Sequence, residues 1–383
     1  MKKHRIGKMT TPPLNLNLAL EKRVKLQFPS GFKPRHAGRN LTGYGLPVLV
    51  CLTAFMGLIL AAEASFAAGR SPLPILRTVM DPRSLALGGA NESEVGLIQG
   101  SLELPEGLSA CDKAFGSSFA RHQLDLWSGN FYYTQRLQDN LLVSGEISVF
   151  DYGRLDRSER NIGFTGEQFQ AAEYCATVKA GGRLWESLHG SAALNYVWGA
   201  IDESKAQALT LDGGLSLDPD PLWYDFRVGM AFRHYPLTLK GYDEQTPVSP
   251  SEFVLGLSRR LKHLPLTLFA AGIVTQLGDG DYRLEGPSLF RDKSGVKFPA
   301  DGCFSLGGEF EIRPQGWPID KSNGTSAPLY LRFGYSSKGE GLRMGQRLDL
   351  LAGVSFGLGI NVRSVGIDYA YAPMGALGDV HRV

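Results

Sequence analysis

Three charged residues on one alternating stretch are the first candidates for chemistry. In 222–234 (LWYDFRVGMAFRH), Leu222, Tyr224, Phe226, Val228, Met230 and Phe232 share one face, while Asp225, Arg227, Gly229 and Arg233 share the other. Charges on the enclosed side of a wall must be paired, so Asp225, Arg227 and Arg233 are expected either as a lumenal ion-pair lattice or as the lining of a permeation path or ligand site. His189 and His234 also face such a lumen and read as hydrogen-bonded wall residues. Asp279-Gly280-Asp281 has the start of a calcium loop without the remaining ligand spacing or closing Glu, and reads as a solvated turn. There is no GxSxG, HExxH or P-loop, and no glycine fingerprint for a dinucleotide. No enzyme activity, cofactor or metal is expected.

The elements that carry these residues are strands. With 47 Gly, 21 Pro, 10% aromatic and 20% charged residues in 383, the composition favours many short strands and turns. Gly lacks a three-residue period, which excludes collagen, and 43% hydrophobic residues exclude disorder. A mean hydropathy of −0.11 excludes a polytopic helical membrane protein. It leaves open a membrane β-barrel, whose outward apolar and inward polar residues average out.

Period-two alternation recurs along the chain. Ala192, Leu194, Tyr196 and Trp198 oppose Ser191 and Asn195; Phe304, Leu306, Phe310 and Ile312 oppose Ser305, Glu309 and Glu311; Val365, Ile367, Tyr369 and Tyr371 alternate with Gly366, Asp368 and Ala370. Strand candidates fall near 122–128, 131–137, 141–150, 170–179, 188–198, 206–217, 222–234, 252–260, 265–276, 303–313, 328–337, 347–360 and 363–371, with a fourteenth at the C-terminus. Turn-rich segments include 152–166, 240–250, 278–299 and 314–328. Several candidates exceed the usual soluble strand and match the roughly 9–11 residues of a tilted membrane strand. The expected fold is all-β: an antiparallel transmembrane β-barrel of about 14 strands with a short N-terminal plug. A soluble sandwich or propeller would share the alternation.

The N-terminal region shifts the charge balance. A stretch rich in Lys and Arg precedes the uncharged apolar run 46–62 (LPVLVCLTAFMGLILAA), and small residues at Ala62, Ala64, Ser65 and Ala67 suit cleavage. Residues 1–68 therefore read as a signal peptide with an extended basic n-region; an uncleaved anchor is the alternative. Of 40 Lys+Arg and 38 Asp+Glu, residues 1–68 hold 10 and 2, leaving 30 and 36, so the net charge moves from +2 to −6. Such a chain has no electrostatic footprint for nucleic acid. Cys111, Cys175 and Cys303 remain, widely spaced and without CxxC, so neither a disulfide framework nor a zinc site is indicated and at most one pair would bridge. The expected organisation is signal peptide 1–68, arm or hatch 69–117 and barrel 118–383.

Within the hatch, Asp81-Pro82-Arg83-Ser84-Leu85-Ala86-Leu87-Gly88-Gly89-Ala90 begins with a turn and closes on a glycine pair able to take positive φ. Asp81, Arg83, Gly88 and Gly89 are its candidate residues. This element resembles the "ARxxALGGA" entrance of the PorV/PorQ family, FadL-like outer-membrane proteins of type IX secretion. Gly163–Phe169 (GFTGEQF), Leu264–Leu268 (LPLTL), Gly353–Ile360 (GVSFGLGI), Asp368-Tyr369-Ala370-Tyr371 and Leu377–Arg382 (LGDVHR) are similar to later family stretches in the same order, and the likeness is closer to PorQ. The chain departs from the pattern at Gly96-Leu97-Ile98-Gln99-Gly100, where the family often carries Asn-Pro-Ala. At the C-terminus the resemblance leaves two readings: truncation, or a last strand paired over few residues. It implies a bacterial outer-membrane barrel that binds or shuttles cargo or anchors the surface attachment complex. Type IX secretion components, secreted cargo proteins and outer-membrane lipid would be its partners. A FadL-like transporter of hydrophobic small molecules and a secreted soluble β protein are the alternatives.

Overall fold

In the computed structural model, residues 73–94, 113–122, 126–138, 140–159, 163–185, 187–218, 225–242, 251–277, 300–313, 319–320, 325–337, 351–362, 365–374 and 378–383 are described. The expected signal peptide, Cys111, the 96–100 departure, Asp279-Gly280-Asp281 and Asn323 of an Asn-Gly-Thr sequon lie outside them.

The alternation closes into one barrel. Its strands are β1 (Lys113–Arg121), β2 (Trp127–Gln138), β3 (Leu141–Glu159), β4 (Gly163–Arg183), β5 (Leu188–Ile201), β6 (Ser204–Leu217), β7 (Phe226–Lys240), β8 (Glu252–Arg260), β9 (Leu266–Leu277) and β10 (Ala300–Ile312). A two-residue ladder, β11 (Ile319–Asp320) with β12 (Thr325–Ser326), stands apart, and β13 (Leu329–Ser336), β14 (Val354–Val362), β15 (Val365–Pro373) and β16 (Asp379–Arg382) complete the wall. Fourteen strands pair antiparallel with their sequence neighbours, and β16 closes on β1. Closure removes the two-sheet alternative, because a sandwich leaves edges and this sheet returns to its first strand.

Register explains why closure works. On β1, Phe115 and Phe119 face outward and Ser118 inward; on β5, Leu194 and Tyr196 face outward while Ala193, Asn195 and Val197 are buried. Every shift of one residue would exchange these faces. Closure is narrow at the seam: β16 pairs with β1 only at Ala120↔Arg382 and Arg121↔His381, with two further backbone bonds between Phe119 and Val383.

Two expectations need correction. The first strand is Lys113–Arg121, and among the described residues of the candidate at 122–128 only Trp127 and Ser128 are strand, as the start of β2. KAFGSSFAR alternates, but its inward residues are the small Ala114, Gly116, Ser118 and Ala120, so its apolar signal is thin. Second, the turn-rich segment 152–166 is largely strand: β3 has 19 residues and β4 has 21. Gly153, at φ 70°, absorbs the turn propensity as a bulge, and its N–H donates to Asp151 Oδ1 at 2.7 Å. The β3–β4 register skips there, between Asp151 and Arg154.

Candidate functional site

Residues 73–94 contact inward side chains from β1, β4, β6, β7, β8, β10, β14 and β16, so the segment crosses the lumen. Its two limbs are held by different chemistry.

The first limb holds a 3-10 turn, Pro74–Arg77. Leu73, Ile75, Leu76 and Met80 pack with Cys175, Val197, Ala206 and Ala208 of β4, β5 and β6, flanked by Phe150, Leu239 and Tyr242. One carboxylate lies in this cluster: Glu173, 1% exposed. It accepts the Ile75 N–H at 2.8 Å and the Tyr242 hydroxyl at 3.4 Å. Arg77 reaches Glu252 of β8 at 3.5 Å.

The joint between limbs is the Met80 carbonyl. It accepts from Ser118 Oγ at 2.5 Å and from the Arg382 guanidinium at 3.1 Å, and Arg382 also donates to Ser128 Oγ at 2.6 Å. The closing strand and the lumenal segment are thus tied at one point.

The second limb begins at α1 (Pro82–Ala86). Asp81 is its N-cap, accepting from the Ser84 N–H at 2.7 Å, with Pro82 in the first turn. Arg83 reaches Glu94 at 2.6 Å and Glu309 of β10 at 2.8 Å. Glu309 also accepts from Arg332 of β13 at 2.6 Å, and Arg332 pairs with Asp368 of β15. Arg83 lies 5.8 Å from the Phe269 ring centroid. Three strands along from β10, Arg233 of β7 pairs with Glu92, and Ser216 Oγ of β6 donates to the Ser93 carbonyl at 2.8 Å.

Glycines make room for this limb. A Cβ on Gly334 would stand 2.2 Å from the Leu87 carbonyl carbon, and one on Gly256 would stand 2.4 Å from the Ser93 nitrogen. Gly88 and Gly89 leave α1 at φ 66° and 73°, the left-handed region that favours glycine.

Among the sequence candidates, Asp81, Arg83, Gly88 and Gly89 come together in the second limb, and Arg233 joins it through Glu92. The other two members of the expected lattice do not. Asp225 precedes β7 at φ 44°, and its carbonyl accepts the Arg260 N–H at 3.1 Å. Arg227 lies near that rim and reaches Asp218 at 3.5 Å. The reason is where β7 begins: the alternation of 222–234 enters the ladder only at Phe226. His234 is a buried wall residue whose backbone N–H donates to Asp212 Oδ1 at 2.7 Å, and His189 sits near the start of β5 opposite Arg183. Cys175 is a free, buried thiol. Sequence reasoning missed Glu173 and Arg382. Arg332 and Glu309 had a signal, as charges at inward positions of apolar strands.

No protein-family model and no curated protein matches the chain. Among solved structures it is similar to the toluene transporter TbuX of Ralstonia pickettii, at 14% identity and a TM-score of 0.46, covering 80% of this chain and 97% of that one. It is similar also to the toluene transporter TodX of Pseudomonas putida, at 10% identity and a TM-score of 0.47, covering 84% and 97%. A FadL homologue of Pseudomonas aeruginosa matches at 11% identity and a TM-score of 0.37, covering 83% and 96%. The barrel assignment rests on this chain's own strand register, and the PorV/PorQ resemblance has no support beyond the motifs quoted for it.

Proposed function

We propose that the chain is an outer-membrane barrel that passes hydrophobic small molecules, with residues 73–94 as its gate. The observation that carries this reading is an apolar cluster inside a lumen that elsewhere holds buried ion pairs, filled by the protein's own Leu73, Ile75, Leu76 and Met80. A lumen built only for ions or polar solutes has no use for such a patch.

The outer wall supports the membrane setting. Phe115, Phe131, Val178, Leu194, Leu255, Leu306 and Ile367 are exposed on strands spaced around the barrel. Soluble monomers rarely expose contiguous apolar surface on this scale. In lipid the same surface is the favoured one, and closure satisfies the backbone groups that lipid would leave unpaired.

Uptake of labelled hydrophobic compounds by cells, an alkane, an alkanol and a fatty acid in parallel, tests this reading. Deleting the gene should slow entry of at least one of them, and unchanged entry of all three would overturn it. The type IX reading, favoured by the motif resemblance alone, has its own test. Under it, crosslinking and pull-down at native expression recover secretion components and cargo proteins, and recovery of neither removes it.

A further inference from the structure

The first limb displays, in its own atoms, the chemistry its seat accepts. Aliphatic side chains fill the space between β4, β5 and β6, and one N–H, that of Ile75, meets the buried carboxylate of Glu173 at 2.8 Å. The groups around that carboxylate are donors. Beside the Ile75 N–H, Tyr242 donates its hydroxyl at 3.4 Å. Among the described residues no cation forms an ion pair with Glu173, which is unusual for a carboxylate 1% exposed.

The limb is also the less firmly held part of the gate. Where the second limb is fixed by Arg83 and Arg233 ion pairs, the first has apolar packing, the Glu173 bond and the half-exposed Arg77 contact. A ligand that displaces it must replace both its apolar contacts and its donor, because a buried acceptor left without a donor is costly.

We infer that Glu173 makes this lumenal seat selective for aliphatic molecules ending in a hydrogen-bond donor, an alcohol or amine, over fatty carboxylates and plain hydrocarbons. The inference rests on the transport reading above. A hydrocarbon fills the apolar space but leaves Glu173 short of a donor, and sites built around a polar contact reject analogues that lack it. Against the ionised form of Glu173, a carboxylate ligand brings a second negative charge into a poorly solvated place that holds no cation partner among the described residues.

Binding of 1-decanol, decanoate and decane to the full chain in lipid nanodiscs, corrected for empty discs, tests this. Decanol should bind ~10-fold more tightly than either of the others, the effect of about one buried hydrogen bond. In Glu173→Gln the acceptor oxygen remains and the charge is gone, so the preference over decanoate should collapse while that over decane persists. Glu173→Leu should abolish the preference over decane. Decanoate binding as tightly as decanol to the unaltered chain would overturn the inference, and that ratio needs no variant to fold. So would a decanol-to-decanoate ratio unchanged in Glu173→Gln. If all three probes bind equally, donor selection fails and the transport reading stands; if none binds, both fail.

Discussion

The two limbs of the lumenal segment lie in one barrel and are held in opposite ways. Residues 73–80 rest on apolar packing, the Glu173 carboxylate and one contact of Arg77 with Glu252, whereas 81–94 are locked by Arg83 to Glu94 and Glu309 and by Glu92 to Arg233. Apolar packing is non-directional, and another apolar body can replace it. A buried charge network is not exchangeable in that way, since removing one member strands the others. In the proposed gate, therefore, the second limb is the fixed plug and the first is the part that moves, about the Met80 carbonyl held by Ser118 and Arg382.

The largest expected effect comes from breaking the fixed side. Glu309→Ala leaves Arg83 and Arg332 short of the carboxylate they share, and should cost about 3 kcal/mol of barrel stability. The check is the heat-modifiable band in gel electrophoresis, whose transition should fall in temperature.

Leu76→Ala should act differently. It removes buried aliphatic volume worth about 2 kcal/mol, the low end for such a truncation. The loss should appear as proteolytic exposure of the limb while the heat-modifiable transition stays in place. A fall of the whole barrel's transition equal to that of Glu309→Ala would show that the limbs are one unit.

The smallest effect concerns the pivot. Burial, and then the nearby Arg382, push the His122 imidazole down to about 4 from 6.5. The folded state therefore holds it neutral; the stability this gives is full above 6.5 and is lost as pH falls toward 4. The group is partly solvated, so the loss is discounted to ~1 kcal/mol. His122→Asn should flatten that part of the pH–stability curve, and an unaltered slope would remove His122 from the account.

Much of the wall was legible because its signal is local. The period of two depends only on neighbouring residues, so 252–260 and the charges of 304–313 could be read directly. The seat of the gate depends on contacts between residues far apart. Glu173 is one acidic residue among alternating neighbours in β4, and only the approach of Ile75, 98 positions away, gives it meaning. Gly334 and Gly256 likewise look like ordinary small residues of a strand until Leu87 and Ser93 come against them. Asp225 shows the opposite failure: its place in an alternating run suggested a lumenal face, and the strand starts one residue later.

Amide hydrogen exchange, resolved by residue across 73–94, tests the two-limb account most directly. The account predicts that the Ile75 amide exchanges faster than those of Leu85, Leu87 and Gly89, and faster again when decanol is bound, because its N–H has then lost Glu173. Exchange of both limbs in parallel, with and without decanol, would contradict it.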